Sequence, residues 1–355
     1  MRIATVVGAR PQFIKSGPVS RALDRAGIEE SLIHTGQHYD LNMSDVFFET
    51  MGLRVPRHHL GLGAASHGKM TGEMLAAIEE ILLGDPVDGM LVYGDTNSTL
   101  AGALAAAKLH IPVFHVEAGL RSFNRRMPEE INRVLTDHMS ALLFCPTPVA
   151  VQHLKSEGIE SGVHMVGDVM KDGIDFSLAN LAEVEDSNQR EPASYYLATV
   201  HRQENVDNPE RLNGILSAFA QLDRPVVLPL HPRTRAKIKA DNKHLTLSPN
   251  IEIVDPIGYV EMLQLLAGAK AMLTDSGGVQ KEAYMLGIPC ITLRDETEWV
   301  ETVESGWNTL VGANKELIAA ATERNVRQLP HPDLYGDGHA SDRIVELIAE
   351  YHHSK

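Results

Sequence analysis

Short β-branched runs that are apolar throughout constrain this chain more than any other feature. Gly89-Met-Leu-Val-Tyr and Pro225-Val-Val-Leu-Pro-Leu show no polar alternation. A strand with one wet face alternates, whereas a strand buried on both faces of a parallel sheet reads as a continuous apolar run. Such runs fall at 2–7, 30–34, 89–93, 112–116, 141–145 and 163–166, and again at 195–200, 225–230, 251–254, 271–274, 288–293 and 309–311. Helical patterns separate them, among them Ala-rich 100–109, then 130–138 and 211–222. Strand, helix, strand at this spacing predicts βαβ units wound on both faces of a parallel sheet. A length of 355 residues suits two such domains.

The boundary is expected between about 167 and 194, where Glu183–Pro192 is polar and free of strand signals. The reading is an N-terminal Rossmann-like domain at 1–170, a C-terminal Rossmann-like nucleotide-binding domain at 171–339, and a closing helix and tail at 340–355. In open α/β sheets, ligands bind outside the carboxyl ends of the strands. Two such ends are expected to face each other across a cleft, so the residues just after each strand are the ones to inspect.

Composition removes several classes. With 43% hydrophobic and 22% charged residues, the chain is neither disordered nor a membrane bundle. The formal charge of −15 repels phosphate backbones and anionic lipid, so neither nucleic acid nor a membrane surface is an expected partner. A small, locally basic pocket remains compatible with that charge. Cys145 and Cys290 are too few for a disulfide scaffold or a Cys-rich zinc site, and both end apolar runs as buried thiols would. The N-terminal apolar run is too short for a signal sequence, which points to the cytoplasm.

Six segments, five of them at strand ends, hold the candidate chemistry. Gly8-Ala-Arg10-Pro-Gln-Phe-Ile-Lys15 is a glycine turn into a helix. It matches neither the dinucleotide fingerprint nor the P-loop. Arg10 and Lys15 suit a diphosphate at a helix N-terminus, or are two solvated cations on a structural turn. Asp95, in Gly94-Asp-Thr, is an acid–base carboxylate or an N-cap. His115 and Glu117, on one side of a strand, would hold a metal only with a third ligand that is not evident, whereas Glu117 as an acid–base carboxylate needs none. Glu129 and Arg133 share a helix face, with Ile131, Val134 and Leu135 turned to the core. His201 follows the first strand of the second half and could carry a proton near neutral pH, or be an inert loop residue. Asp275-Ser276-Gly277-Gly278-Val-Gln-Lys-Glu282 offers a cap, two glycines for close approach and a nearby carboxylate, an arrangement suited to an anion nest.

Together these segments resemble the non-hydrolysing UDP-N-acetylglucosamine 2-epimerases, which have the two-domain GT-B fold. The motifs are Gly8-Ala-Arg-Pro-Gln, Gly94-Asp-Thr, His115-Val-Glu-Ala-Gly-Leu-Arg, Pro128-Glu-Glu-x-Asn-Arg, Asp275-Ser-Gly-Gly-x-Gln-x-Glu and Tyr335-Gly-Asp-Gly, in order from Gly8 to Gly338. The resemblance implies an isomerase that removes the C2 proton of UDP-N-acetylglucosamine and expels UDP, leaving 2-acetamidoglucal. UDP then re-adds, and C2 is reprotonated on the other face to give UDP-N-acetylmannosamine, reversibly and with no cofactor. It implies Asp95, Glu117 and Glu129 as acid–base groups and His201 as the residue assisting UDP departure. Arg10, Lys15 and Arg133 become nucleotide-sugar contacts, Ser276, Gly277 and Gly278 the diphosphate cradle, and Glu282 the ribose contact. No metal is expected. The family further suggests a homodimer and a role in cell-envelope glycan supply.

Two departures are visible. Where relatives continue Thr-Glu-Arg-Pro, this chain has Thr297-Glu-Trp299-Val, so an indole replaces a cation in the pocket or packs elsewhere. The Gln-His-rich stretch of members regulated by a second UDP-N-acetylglucosamine is only partly matched by Gly36–Asn42. UDP-2,3-diacetamido-2,3-dideoxyglucuronate stays open as an alternative substrate. A GT-B glycosyltransferase is the reading from another class, and the carboxylate set disfavours it.

Overall fold

A computed structural model describes residues 1–37, 54–63, 65–181, 190–230, 234–235, 237 and 248–355. The chain divides into two units: Met1–Ser177 with Tyr335–Lys355, and Leu178–Leu334.

The first unit holds a parallel sheet built from β1 (Arg2–Val7), β2 (Glu29–His34), β3 (His58–His59), β4 (Gly89–Tyr93), β5 (Val113–Val116), β6 (Leu142–Cys145) and β7 (Val163–Met165). Its order is β3-β2-β1-β4-β5-β6-β7. Six of these strands are the apolar runs read from the sequence. The edge strand β3 was not foreseen, because two histidines paired to Ile33 and His34 carry no apolar signal. The strands in the middle of the sheet are buried on both faces. On one face Phe13, Val19, Leu23, Ile344 and Ile348 pack with Ile3, Leu91 and Phe144. On the other, Met74, Ile78, Ala101 and Ala105 pack with Ala4, Val6 and Val92. Each large side chain fully removed from water contributes roughly 1.5–3 kcal/mol.

The second unit repeats the plan with β8 (Tyr196–Thr199), β9 (Val226–Pro229), β10 (Ile251–Val254), β11 (Met272–Thr274), β12 (Cys290–Thr292) and β13 (Asn308–Leu310), all parallel, in the order β10-β9-β8-β11-β12-β13. All six were expected from apolar runs. The two strand orders share a rule: the chain steps outward from the first strand on one side, then crosses back to fill the other. The crossing point lies between β1 and β4 in one unit, and between β8 and β11 in the other.

Cys145 and Cys290 are both buried and unbonded to each other, and burial pushes each thiol up to about 12. Among the described residues no helix is long and apolar enough to cross a membrane.

Candidate active site

The sheet order of the first unit makes β1, β4 and β5 neighbours, so the turns that follow them lie side by side. Gly8 and Ala9 lead from β1 into the Arg10–Arg25 helix. Gln12, buried on that helix, locks the turn. Its Oε1 accepts from the Gly8 and Ala9 N–H groups at 2.8 and 3.1 Å, and its Nε2 donates to the Tyr93 carbonyl and Thr99 Oγ1 at 2.8 and 2.9 Å. One amide thereby joins the β1 turn to the β4 turn. Arg10 begins the helix, and its side chain lies outside the described residues.

Asp95 follows β4 and is not the cap of the next helix. Thr96 holds that position and accepts from the Thr99 N–H at 3.2 Å, which leaves the Asp95 carboxylate to other partners. That carboxylate pairs with Arg133. Burial raises the Asp95 pKa; Arg133 and Lys15 pull it down and Glu117 pushes it up, with a net rise. Asn132 donates to the Asp95 carbonyl at 2.9 Å and so fixes the backbone of the same turn.

Glu117 lies one residue beyond β5 at φ 71°, a left-handed backbone that is uncommon for a residue with a β-carbon. The strand alternation that would place it beside His115 therefore stops short of it. Glu117 pairs instead with Lys15. Gly94 has φ 61°, and a β-carbon there would stand 3.2 Å from the Glu117 carboxylate, so the closeness of the two turns favours glycine. His115 is fully buried: Nε2 donates to the Gly94 carbonyl at 2.8 Å, and Nδ1 meets Asp137 at 2.7 Å. Both ring nitrogens are committed, which removes the metal reading for this pair.

The Pro128–Met139 helix reverses the expectation drawn from its apolar residues. Glu130, Asn132, Val134, Thr136 and Asp137 are buried, whereas Ile131 and Leu135 are 43% and 47% exposed. Arg133 turns inward to Asp95 and reaches Glu130 at 3.3 Å, rather than forming a surface pair with Glu129. Glu129 is exposed in the first turn and, among the described residues, joins no ion pair. The structure thus brings Lys15, Asp95, Glu117 and Arg133 together, and leaves Glu129 outside that network.

Glu130 and Asp137 are contributors the sequence reading missed. Glu130 accepts from the Ser122 and Phe123 N–H groups at 2.8 and 3.0 Å. Asp137 accepts from the Gly119 N–H at 3.2 Å and from Arg121 at 2.6 Å, in addition to its contact with His115. Burial raises the Asp137 pKa, but the bonds from His115 and Arg121 outweigh it and hold the carboxyl below its ordinary value. A signal was present: Glu130, Val134 and Asp137 fall at i, i+4 and i+7, one helical face.

In the second unit, His201 follows β8 and its side chain is 42% exposed. The buried Asp275, which follows β11, accepts from the His201 N–H at 3.1 Å and the Arg202 N–H at 3.0 Å, and lies 3.3 Å from His201 Nδ1. Asp275 was visible in its motif but had no assigned role; it fixes the loop that carries His201. Ser276 occupies the cap position of the Gly277–Met285 helix without a side-chain cap bond. Gly277 and Gly278 are already helical, so the feature is a helix N-terminus and not a left-handed nest. A β-carbon on Gly278 would meet nothing, whereas one on Gly277 would stand 2.0 Å from Glu298. Glu282 is buried further along the same helix.

Trp299 packs. Its Nε1 donates to the Gly277 carbonyl at 2.8 Å, and its ring lies 4.6 Å from Lys281 Nζ. Thr297 donates to Gln280 at 2.6 Å, and Glu298 is held by buried Arg294 at 2.7 Å. The segment Thr297–Trp299 is thus built onto the first turn of the Gly277–Met285 helix. The stretch Gly36–Asn42 falls outside the described residues beyond Gln37.

Two Rossmann-like parallel-sheet units in one chain, each with its polar residues at the carboxyl ends of the strands, define a protein of the GT-B class. The family model for UDP-N-acetylglucosamine 2-epimerase matches residues 21–349. A UDP-N-acetylglucosamine 2-epimerase homolog of Methanococcus maripaludis is 51% identical over 98% of this chain and 99% of its own length. The UDP-2,3-diacetamido-2,3-dideoxy-D-glucuronate 2-epimerase of Pseudomonas aeruginosa is 49% identical over 99% of this chain and 100% of its own. The crystal structure of the Methanocaldococcus jannaschii UDP-GlcNAc 2-epimerase, in complex with UDP-GlcNAc and UDP, superimposes with a TM-score of 0.83 at 44% identity, covering 99% of this chain and 100% of that one. The chain belongs to the UDP-N-acetylglucosamine 2-epimerase family.

Proposed function

We propose that the chain is an isomerase that reversibly inverts C2 of UDP-N-acetylglucosamine, giving UDP-N-acetylmannosamine. The observation that carries the reading is the pair Asp95 and Glu117 on adjacent strand-end turns, each matched by its own cation, Arg133 or Lys15. Burial raises the Asp95 pKa while Lys15 pairs with Glu117, so the two carboxyls stand in different environments, as a pair sharing acid–base work requires. One group takes the C2 proton as the C1–O bond to UDP breaks, leaving 2-acetamidoglucal. UDP re-adds at C1, and the other group protonates C2 on the opposite face. Glu129 is assigned a supporting acid–base role from its place in the motif, and Arg10 a diphosphate contact.

The second unit grips the nucleotide. Ser276, Gly277 and Gly278 present helix N-terminal N–H groups to the diphosphate, Glu282 accepts from ribose hydroxyls, and His201 assists UDP as it leaves. The same residues serve UDP-2,3-diacetamido-2,3-dideoxyglucuronate. The 49% identity to the Pseudomonas aeruginosa enzyme, beside 51% to the Methanococcus maripaludis homolog, keeps it as the second reading.

The working form is a homodimer. Met127, Ile131 and Leu135 form an exposed apolar stripe on the Pro128–Met139 helix, whose polar side is already buried, and a second copy of the chain would cover it.

Incubation with UDP-N-acetylglucosamine in D₂O, followed by NMR at C2, tests the activity. Deuterium at C2 in both epimers is expected. Exchange only with the diacetamido-uronate moves the substrate assignment, and UDP release only with an added acceptor refutes epimerisation. Glu117→Gln is expected to lower exchange by about 10²–10⁴-fold while UDP still binds.

A further inference from the structure

Asp137 belongs to none of the motif positions given a role in the chemistry, yet it reaches both turns that carry Asp95 and Glu117. Its side chain and that of His115 are fully buried. Through Oδ1 it meets His115 Nδ1 at 2.7 Å, and His115 Nε2 donates to the Gly94 carbonyl at 2.8 Å, one residue before Asp95. Through Oδ2 it accepts from the Gly119 N–H at 3.2 Å, two residues after Glu117. Arg121 donates to the same oxygen at 2.6 Å and to Glu157 at 2.7 Å, so the carboxylate is itself held in place.

We infer that Asp137 is a positioning residue for the reaction, setting the spacing between the Asp95 and Glu117 carboxylates by pinning both of their turns. The inference rests on the proposed roles of those two groups. Glu117 has a left-handed backbone that is favourable only while its surroundings hold it there. The Gly94 turn is one that glycine could leave for other conformations. On one side of each turn the backbone is already tied to the sheet: the Gly94 N–H donates to the Val116 carbonyl at 3.0 Å, and the Glu117 N–H to the Phe144 carbonyl at 3.1 Å. On the other side, Asp137 holds the Glu117 turn directly at Gly119 and the Gly94 turn through His115, beside the Asn132 bond to the Asp95 carbonyl. Acid–base carboxylates that must reach opposite faces of one carbon tolerate little error, and a misplacement of about 1 Å costs on the order of 100-fold in rate.

The chemistry of the site separates shape from charge. In Asp137→Asn the amide oxygen still accepts from Gly119 and Arg121, and its NH₂ donates to His115 Nδ1. The His115 Nε2–H bond to Gly94 therefore survives. In Asp137→Ala all three contacts go.

The experiment measures C2 exchange and UDP affinity on the full chain. Asp137→Ala is expected to lower kcat about 100-fold, with the Kd for UDP within about twofold of the parent, because the diphosphate and ribose contacts proposed in the second unit are untouched by the change. Asp137→Asn is expected to recover kcat to within about tenfold. Should Asp137→Ala not fold, His115→Phe keeps a ring in the same space, drops the bond to Gly94, and is expected to show the same kcat-only loss. Asp137→Ala or His115→Phe with full kcat overturns the inference, as do equal losses in the Ala and Asn variants or a parallel loss of UDP affinity. A parent protein with no C2 exchange on either UDP-sugar would instead refute the functional reading beneath it.

Discussion

Replacing Gln12 with Met tests how firmly the β1 turn is built. The substitution keeps the length of the side chain and its apolar stem, and removes only the amide. Gln12 is 3% exposed and makes four hydrogen bonds through that amide. Their losses are unequal. The Tyr93 carbonyl retains the Thr99 hydroxyl at 2.7 Å, so it is not orphaned. The Gly8 and Ala9 N–H groups lose the partner they share. A buried donor without a partner costs about 1–3 kcal/mol, so two cost roughly 2–6 kcal/mol. In a unit of about 200 residues, that lowers the melting temperature by roughly 4–24 °C. Calorimetry of the full chain, parent against Gln12→Met, reads the shift on the transition of the first unit. Gln12→Glu supplies the control. Its carboxylate can still accept from both N–H groups but turns a second oxygen toward the Tyr93 carbonyl, so an intermediate loss is expected. A shift below about 2 °C for Gln12→Met would show that water or a rearranged turn satisfies the two donors, and the reasoning would fail.

Two further tests are independent of it. Trp299→Phe keeps a ring over Lys281 and loses the donor to the Gly277 carbonyl; calorimetric titration should show UDP affinity falling about fivefold, and unchanged affinity would mean the indole does not steady the helix terminus. Leu135→Asp places a charge in the exposed stripe of the Pro128–Met139 helix; sedimentation velocity should report a monomer where the parent is a dimer, and a parent that sediments as a monomer, or a variant that stays dimeric, would dispose of that interface.

Most of the sheet framework was legible because its signal is local. A strand buried on both faces must be apolar along its whole length, and each such run could be read without its neighbours. β3 escaped because His58 and His59 are defined only by their pairing with β2. The site was legible at the level of motifs and not of contacts. Trp299 illustrates the difference: the sequence could say that an indole stands where relatives have a cation, while its partners are Gly277 and Lys281, 22 and 18 residues earlier, and nothing in the spacing announces them.

What the sequence by itself determined is the plan: two parallel α/β sheets, polar or charged residues in the turns after the central strands, and motifs that placed the chain in its family. These follow from hydrophobic period and residue type, which act over a few residues. What only the tertiary structure decided is which charged groups meet. Lys15 finds Glu117, 102 residues away, and Arg133 finds Asp95, 38 residues away, because β1, β4 and β5 are neighbours in the sheet and their turns therefore open together. The same order put the polar side of the Pro128–Met139 helix inward, against the usual sense of an amphipathic helix. Ionised side chains buried beside partners of opposite charge are held by pairing, and pairing is a property of the assembled sheet.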